Sequence, residues 1–306
     1  MKMVRPEGLE PPPFWFVAKR SIHLSYGRIN RWLERTAFIL RARSTGWRLE
    51  NRAEAPYRER TLDVELVGKQ PFLGVFQLNT ATVTFLSPAL GRHVTYTVLL
   101  PEPAAGPGPY PVLYQLHGAS DDHTAWVRLS NLTRYVAGLP LLVVLPDGGL
   151  SFWLNYSAHE RYEDFLIQDL PEHLHRTFPV RAGKAAIGGL SMGGFGALRL
   201  ALKYPDRFAS VWAHSGALWP AEVIAQRFGG VLADPKEADI YHLVEQVDPS
   251  RLPAIAFDCG TEDFLIEQNR QFHSFLEARG IPHIYKEHPG GHTWDYWDAH
   301  VREALA

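Results

Sequence analysis

The chain has 306 residues, of which 46% are hydrophobic and 21% charged, a composition typical of a soluble globular protein with a sizeable core. Its formal net charge of −2 gives no electrostatic reason to expect a nucleic-acid or a membrane partner. A single cysteine, Cys259, excludes an intrachain disulfide, and the apolar runs are too short for a membrane span or a signal peptide, so we expect a cytoplasmic protein.

Residues 1–70 differ in composition from the rest of the chain. They carry 14 Lys and Arg against 8 Asp and Glu, whereas residues 71–306 carry 17 against 25. The first segment has weak periodicity, and Val4–Gly27 resembles a peptide that arises when a transfer-RNA gene is translated at the front of an open reading frame. We interpret residues 1–70 as an N-terminal extension that is disordered or the product of a misassigned start, with a basic partner-binding arm as the alternative. Residues 71–306 are expected to form one domain.

From about residue 72, strand-like and helix-like segments alternate. Two β-branched runs separated by Gly91, Thr82–Leu86 and His93–Leu100, predict an antiparallel hairpin. Further strands are predicted at Val112–Leu116, Leu141–Leu145, Ala185–Gly188, Ala209–Ala213, Ala254–Phe257 and Ile284–Glu287. Helices are predicted at Tyr162–Phe178, with a kink or break at Pro171, and at Phe195–Lys203, Pro235–Val247, Phe264–Arg279 and Trp294–Ala306. Because parallel strands need crossovers, the alternation predicts an α/β fold whose mostly parallel central sheet carries helices on both faces.

One serine lies among glycines in the stretch AIGGLSMGGFGAL, between a predicted strand and a predicted helix. Gly189–Gly193 fits the pattern G-x-S-x-G, which is typical of a sharp turn that exposes a nucleophilic serine. Side chains in place of Gly189 and Gly193 would collide with the neighbouring strand and helix. This context favours Ser191 as a nucleophile over a glycine-rich turn that only packs a helix against a sheet.

A nucleophilic serine needs a general base, and the base needs a carboxylate that orients it. Both are expected in loops at the carboxyl ends of strands. His292, in the loop HPGGHTW after the last predicted strand, is the preferred base, and His288 is the alternative. The loop DCGTEDFL contains Asp258, Glu262 and Asp263. Asp263 is preferred because it can project toward the histidine loop, although it could also be a helix N-cap, and Asp258 is expected to accept backbone amides.

Acyl transfer also needs two hydrogen-bond donors for an oxyanion. The backbone amides of Met192, directly after the serine, and of Ala119, after the strand Val112–Leu116, are the candidates. Gly118 would let the backbone approach the substrate closely. The tryptophans near the predicted site loops are expected to pack in the core, and one or two of them to line a substrate pocket, for which we select Trp126 and Trp294.

Two other patterns give weaker signals. His173 and His175 form H-x-H on a predicted helix, where they would not share a face, so we expect no metal site there. Asp121–His123 is interpreted as solvated loop and helix cap, with a metal or substrate contact as the alternative. Cys259 is expected to pack in the core. No metal ion is expected.

Several of these stretches together resemble the α/β-hydrolase family named "putative esterase". They are, in chain order, VLYQLHGASDDHTAW, RYEDFLIQDLP, GGLSMGGFGAL, HSGAL, FDCGTEDFL and PGGHTWDYW. That family includes tributyrin-type carboxylesterases, S-formylglutathione hydrolases, feruloyl and acetylxylan esterases, and mycolyltransferases. The resemblance covers residues 72–306 and implies an α/β-hydrolase fold without a cofactor. It also places Ser191, Asp263 and His292 at the triad positions, and Ala119 and Met192 at the oxyanion positions.

We therefore predict a serine carboxylesterase that hydrolyses short-chain acyl esters of small molecules through an acyl-enzyme. Short chains are expected because no long apolar lid insertion is visible, although the insert between Gly216 and Asp248 could form a small cap. The alternatives are a feruloyl or acetylxylan esterase, an S-formylglutathione hydrolase, an acyltransferase, and a non-catalytic binding module built on the same fold. The sequence leaves a homo-oligomer open.

Overall fold

The structure is a computed structural model that describes residues 19–22, 62–65, 79–220, 223, 226, 232 and 234–305. The chain divides into two compact units, Met1–Val75 and Phe76–Ala306. In the first unit, β1 (Lys19–Ile22) pairs antiparallel with β2 (Leu62–Glu65). The predicted N-terminal extension lies mostly outside the described residues and stays a prediction.

The second unit contains an eight-stranded sheet with the strand order β10-β9-β8-β7-β5-β6-β4-β3. Its strands are β3 (Asn79–Ser87), β4 (Arg92–Leu100), β5 (Val112–Leu116), β6 (Leu142–Pro146), β7 (Ala185–Leu190), β8 (Phe208–His214), β9 (Ala254–Gly260) and β10 (His283–His288). The pairs β3–β4 and β4–β6 are antiparallel, and the other pairs are parallel. This confirms the predicted mostly parallel sheet with an antiparallel hairpin at one edge.

Helices follow the parallel strands. They are α1 (Ala125–Arg128), α2 (Leu132–Tyr135), α3 (Tyr162–Asp164), α4 (Leu170–Thr177), α5 (Met192–Lys203), α6 (Ile240–Gln246), α7 (Ile266–Ala278) and α8 (Trp294–His300). Among the residues that the structure describes, none of the helices has the length and hydropathy to cross a membrane.

Two predicted helices differ in detail from the structure. Pro171 does not end its helix, because a π-helical turn, Phe165–Asp169, joins α3 to α4 just before it. Proline has no N–H to donate to the carbonyl oxygen four residues earlier, and its ring crowds that carbonyl. The wider π-helical turn accommodates the missing hydrogen bond. The predicted helix Pro235–Val247 is split at Asp239, whose side chain accepts a hydrogen bond from the Tyr241 amide (2.9 Å) and so caps the start of α6.

Apolar side chains cover the sheet on both faces. Val112, Tyr114 and Leu116 of β5 belong to one buried cluster, whereas Leu113 belongs to another. Successive side chains of a strand point to opposite faces, so the two clusters lie on opposite sides of the sheet. A strand that is buried on both faces explains the continuous apolar run in the sequence.

The chain order of the strands places a crevice beside β5. From β5 the chain proceeds to β6 on one side and then to β7 on the other side. Such a reversal opens a crevice at the carboxyl ends of the strands, where open α/β sheets bind their ligands. Leu116, the last residue of β5, is paired with Gly189 of β7. The loops that follow these two strands are therefore neighbours, and they carry Ala119 and Ser191.

Candidate active site

Ser191 occupies the tight turn between β7 and α5. Its backbone has a φ of 54° and a ψ of −114°, a conformation that residues other than glycine rarely adopt. Its amide donates to the carbonyl of His214 (2.9 Å), and its carbonyl accepts from the amides of Phe195 (3.0 Å) and Ala217 (3.2 Å). These hydrogen bonds hold the strained turn, and the side chain of Ser191 lies at the wall of a cavity.

The two glycines of the G-x-S-x-G pattern are required by the space around this turn. A Cβ atom at Gly189 would lie 2.6 Å from the backbone carbonyl of Gly193. A Cβ atom at Gly193 would lie 2.6 Å from the carbonyl oxygens of Leu116 and His117. Since these obstacles are backbone atoms, neither position has room for a side chain.

The loop between β10 and α8 brings His292 to the serine. Nε2 of His292 lies 3.0 Å from Oγ of Ser191. Nδ1 of His292 lies 2.8 Å and 3.1 Å from the two carboxylate oxygens of Asp263. The structure therefore brings the predicted nucleophile, base and acid within hydrogen-bonding distance of one another, although they come from three separate loops.

The surroundings of Asp263 favour its charged form. The residue is 2% exposed, and such burial by itself raises the pKa of a carboxyl group. Hydrogen bonds from His292 and from the Leu265 amide (2.8 Å) outweigh burial and hold the pKa of Asp263 below its ordinary value. A carboxylate facing Nδ1 of His292 keeps the proton on that nitrogen, so Nε2 can accept the proton of Ser191. Asp263 also stabilises the turn before α7 through the Leu265 amide, but it is not the helix N-cap, which is Leu265.

Asp258 has a different role from the one expected. Its carboxylate accepts hydrogen bonds from the side chains of Trp212 (2.6 Å), His214 (2.7 Å) and Tyr296 (2.9 Å), and not from backbone amides. The reason is that β9 continues to Gly260, so the backbone of this segment is engaged in the sheet. The Asp258 side chain is buried, and its hydrogen bonds join β8 to α8.

His288 does not approach the serine, so the structure does not support it as the alternative base. Its Nε2 atom lies 3.4 Å from Oε1 of Glu303. Its ring stacks on that of His300 with the centroids 3.9 Å apart. The side chain is at the last position of β10, before the loop bends back toward Ser191.

Two backbone amides are available beside the serine. Ala119 lies in the loop after β5, and Met192 is the first residue of α5. Within the described residues, neither amide donates a hydrogen bond to the protein. The start of α5 also adds the positive end of the helix dipole at this point. Both amides are thus candidates for binding an anionic oxygen.

A cavity of about 440 Å³ opens over Ser191. Aromatic rings form much of its wall: Phe152, Trp219, Phe264, Trp294 and Trp297. Gly118 and Trp294 line it as the sequence predicts, and the carboxylate-bearing Asp121 also contributes to it. Its neighbour Asp122 caps the following turn by accepting the Thr124 amide (2.7 Å), in line with the expected loop role.

Trp126 does not line the cavity, so the prediction that it contacts the substrate is wrong. It is 1% exposed, and its indole N–H donates to the carbonyl of Leu116 (3.0 Å). Its ring packs edge-on against Trp294 with the centroids 5.1 Å apart. The buried ring has its polar atom satisfied inside the protein and therefore presents no surface to a ligand.

The sequence interpretation missed three residues at the site. Phe264 directly follows Asp263 and is 71% exposed, with its ring 4.5 Å from that of His292. Phe152 follows the end of β6. Ser215 follows β8, has a φ of 46°, and accepts a hydrogen bond from the Trp297 indole (3.1 Å). Ser215 and Phe264 come shortly after β8 and β9, so the rule that located the acid and the base would also have found them, whereas Phe152 lies six residues beyond the end of β6.

Comparisons of the sequence with known proteins match this chain to esterases. A sequence profile of the family described as "Putative esterase" matches residues 87–306. An acetyl esterase of Caldicellulosiruptor saccharolyticus is 32% identical over 220 residues, which cover 63% of this chain and 81% of that protein. Esterase Rv1288 of Mycobacterium tuberculosis is 32% identical over 253 residues, and the chain spans only 55% of that relative's length.

Solved structures resemble the second unit over nearly their whole length. The fluorophosphonate-binding serine hydrolase F of Staphylococcus aureus aligns with a TM-score of 0.69 at 27% identity, covering 74% of this chain and 97% of the other. An S-formylglutathione hydrolase of the same organism aligns with a TM-score of 0.68 at 26% identity, covering 75% and 98%. The second unit therefore has the α/β-hydrolase fold.

Proposed function

Because the chain belongs to the esterase family whose profile it matches over residues 87–306, we propose that it is a serine carboxylesterase specific for short-chain acyl esters. Its relatives and the similar solved structures are esterases and serine hydrolases, so action on small-molecule carboxylic esters follows from the family. The proposal that Ser191, His292 and Asp263 perform the reaction is carried by one observation, the continuous hydrogen-bonded path from the Asp263 carboxylate through His292 to Ser191 Oγ.

The first half-reaction acylates the serine. Ser191 Oγ attacks the ester carbonyl while Nε2 of His292 accepts its proton. The Asp263 carboxylate accepts the hydrogen bond from Nδ1–H of His292 and stabilises the imidazolium that forms. When the tetrahedral intermediate collapses, the imidazolium gives its proton to the departing alcohol oxygen, which leaves an acyl group on Ser191.

The amides of Ala119 and Met192 stabilise the negative oxygen of the tetrahedral intermediate. A donor of this kind contributes about 3–4 kcal/mol to the stabilisation of the transition state. Because both donors belong to the backbone, they are already oriented before the substrate binds.

The second half-reaction is hydrolysis of the acyl-enzyme. Nε2 of His292 accepts a proton from a water molecule, whose oxygen attacks the acyl carbonyl. The same two amides hold the new oxyanion, and the proton returns to Ser191 as the carboxylic acid departs. No cofactor is needed for either half.

The cavity favours a small acyl group. Its volume of about 440 Å³ lies toward the lower end of the range for ligand pockets and must also hold the alcohol part of the ester. Ala217 and Trp219 bring the beginning of the predicted cap segment to the cavity wall. Most of residues 221–233 lie outside the described part of the chain, so the cap itself stays a prediction.

A feruloyl ester is the second candidate substrate, and the aromatic wall is the observation that favours it. The rings of Phe152 and Trp219 lie 5.7 Å apart on the same cavity and could stack on a planar acyl group.

A substrate panel tests the proposal. The purified full chain is assayed with p-nitrophenyl acetate, butyrate and octanoate, with methyl ferulate, and with S-formylglutathione. We expect the highest kcat/KM with acetate or butyrate, and a loss of all activities in Ser191→Ala but not in the control Ser157→Ala, which changes an exposed serine. A maximum at ferulate or S-formylglutathione would replace the proposed substrate. Activity that survives in Ser191→Ala would overturn the mechanism.

A further inference from the structure

Three side chains of types that can bind a metal ion, none of them used in the proposed mechanism, lie together at the end of β10. They are His288, His300 and Glu303, and one ligand atom from each lies within 4.8 Å of the others. His288 ends β10, His300 ends α8, and Glu303 begins the short 3-10 turn that follows. All three side chains are partly buried.

The spacing of their ligand atoms suits a zinc ion. Nε2 of His288 lies 3.4 Å and Nδ1 of His300 lies 2.9 Å from Oε1 of Glu303. Tetrahedral zinc, with bonds of about 2.0–2.1 Å to nitrogen and oxygen, separates its ligands by about 3.3 Å. The two measured distances lie on either side of that value. The imidazole rings are stacked, and a rotation about their side-chain bonds would direct both nitrogens to one ion.

The hydrogen bonding of the cluster leaves ligand atoms available. Nε2 of His288 is shielded from solvent and has no hydrogen-bond partner among the described residues. Nδ1 of His300 is engaged only with Oε1 of Glu303, whereas Oε2 of Glu303 binds Lys286 (2.5 Å). A buried polar nitrogen without a partner is unfavourable, and coordination would satisfy it. Two imidazoles and a carboxylate are ligands that zinc prefers.

We propose that His288, His300 and Glu303 bind one Zn²⁺ ion, with water at the fourth position. The ion would join the end of β10 to the end of α8 and to the turn after it. The loop that carries His292 begins at the end of β10 and leads into the start of α8, so the ion ties the beginning of that loop to the far end of the helix that follows it. Zinc binding should therefore stabilise the folded protein. This inference differs from the expectation, based on sequence, that the chain binds no metal.

The test is zinc binding by the full chain without a polyhistidine tag. Isothermal titration with Zn²⁺ should show one ion per chain, with affinity at least about tenfold weaker in His300→Ala and in Glu303→Gln. Zinc in hundredfold excess over its Kd should raise the Tm of the wild type by about 5 °C. Lys286→Met should bind zinc more tightly, because the substitution removes a repelling cation and frees Oε2 of Glu303.

A matched control is His175→Ala, which removes an exposed histidine outside the cluster and should bind zinc like the wild type. The melting temperature without metal shows whether each variant is folded. The gain expected for Lys286→Met is a result that a purely structural hydrogen-bond cluster would not give. Absence of saturable binding, or equal affinity in wild type, His300→Ala and Glu303→Gln, would overturn the proposal. Neither result depends on esterase activity.

Discussion

Replacement of Asp263 by asparagine tests the orienting role of the acid most sharply. In the structure the carboxylate faces Nδ1 of His292 at 2.8 Å and 3.1 Å and also accepts the Leu265 amide at 2.8 Å. An asparagine oxygen can still accept the Leu265 amide, so the turn before α7 is retained. Its NH₂ group then faces Nδ1, which must give up its proton and act as an acceptor.

The expected consequence is a large loss of kcat. With the proton moved to Nε2, His292 can no longer accept the proton of Ser191. The wrong tautomer lowers kcat by about 10⁴-fold in a triad of this kind, which corresponds to about 5 kcal/mol of transition-state stabilisation. Steady-state hydrolysis of p-nitrophenyl acetate measures kcat, and a thermal melt shows that Asp263→Asn is folded.

The control for this experiment is Glu262→Gln, which neutralises the exposed carboxylate next to Asp263 in the same loop. Its kcat should stay within about twofold of the wild type, because an exposed charge contributes little. If folded Asp263→Asn keeps kcat within about tenfold of the wild-type value, the carboxylate does not set the tautomer of His292.

Three further predictions concern residues around the site. Burial alone would raise the pKa of Asp258, but the charge of His214 and the hydrogen bonds from His214, Trp212 and Tyr296 outweigh burial and hold this pKa below its ordinary value. The charged carboxylate therefore stabilises the folded protein above about pH 4, and this contribution is lost as the pH falls through the folded pKa. Urea denaturation should therefore show that Asp258→Asn lowers the free energy of unfolding by about 3 kcal/mol at pH 7 and by less at pH 3. An equal loss of stability at both pH values would contradict this role of the Asp258 charge. Burial raises the pKa of the Cys259 thiol, so an aromatic disulfide reagent should titrate it only after unfolding, and rapid reaction of the native protein would argue against a core position. Trp294→Ala should change the ratio of kcat/KM values for acetate and octanoate esters by about tenfold. Trp126→Phe should lower the free energy of unfolding by about 1–2 kcal/mol and leave that ratio unchanged. The reverse pattern would place Trp126 at the substrate.

Most of the fold could be predicted because its signals are local. The β-branched and apolar runs located the sheet strands, and the alternation with helices indicated parallel pairing. The ends of elements were less certain, since they depend on neighbours that the sequence does not display. β9 continues to Gly260 because β8 and β10 pair alongside it, and this extension changes the surroundings of Asp258.

The candidate site was predictable to the extent that its residues follow strands. Ser191, Asp263 and His292 all satisfy that rule, and the structure places them in contact. The direction of a ring is not encoded locally, and Trp126 points into the protein because its N–H can reach the carbonyl of Leu116. Phe152 lines the cavity from a backbone with a φ of 48°, and no sequence pattern predicts this positive φ.

Covalent labelling is the sharpest test of whether Ser191 is an activated nucleophile. The wild-type protein is treated with a fluorophosphonate, which reacts with an activated serine, and the adduct is located by peptide mass spectrometry. We expect one adduct, on the peptide that contains Ser191. It should be absent in Ser191→Ala and should form much more slowly in His292→Ala. No adduct on the folded wild type, or an adduct on another residue that persists in Ser191→Ala, would show that Ser191 is not the nucleophile.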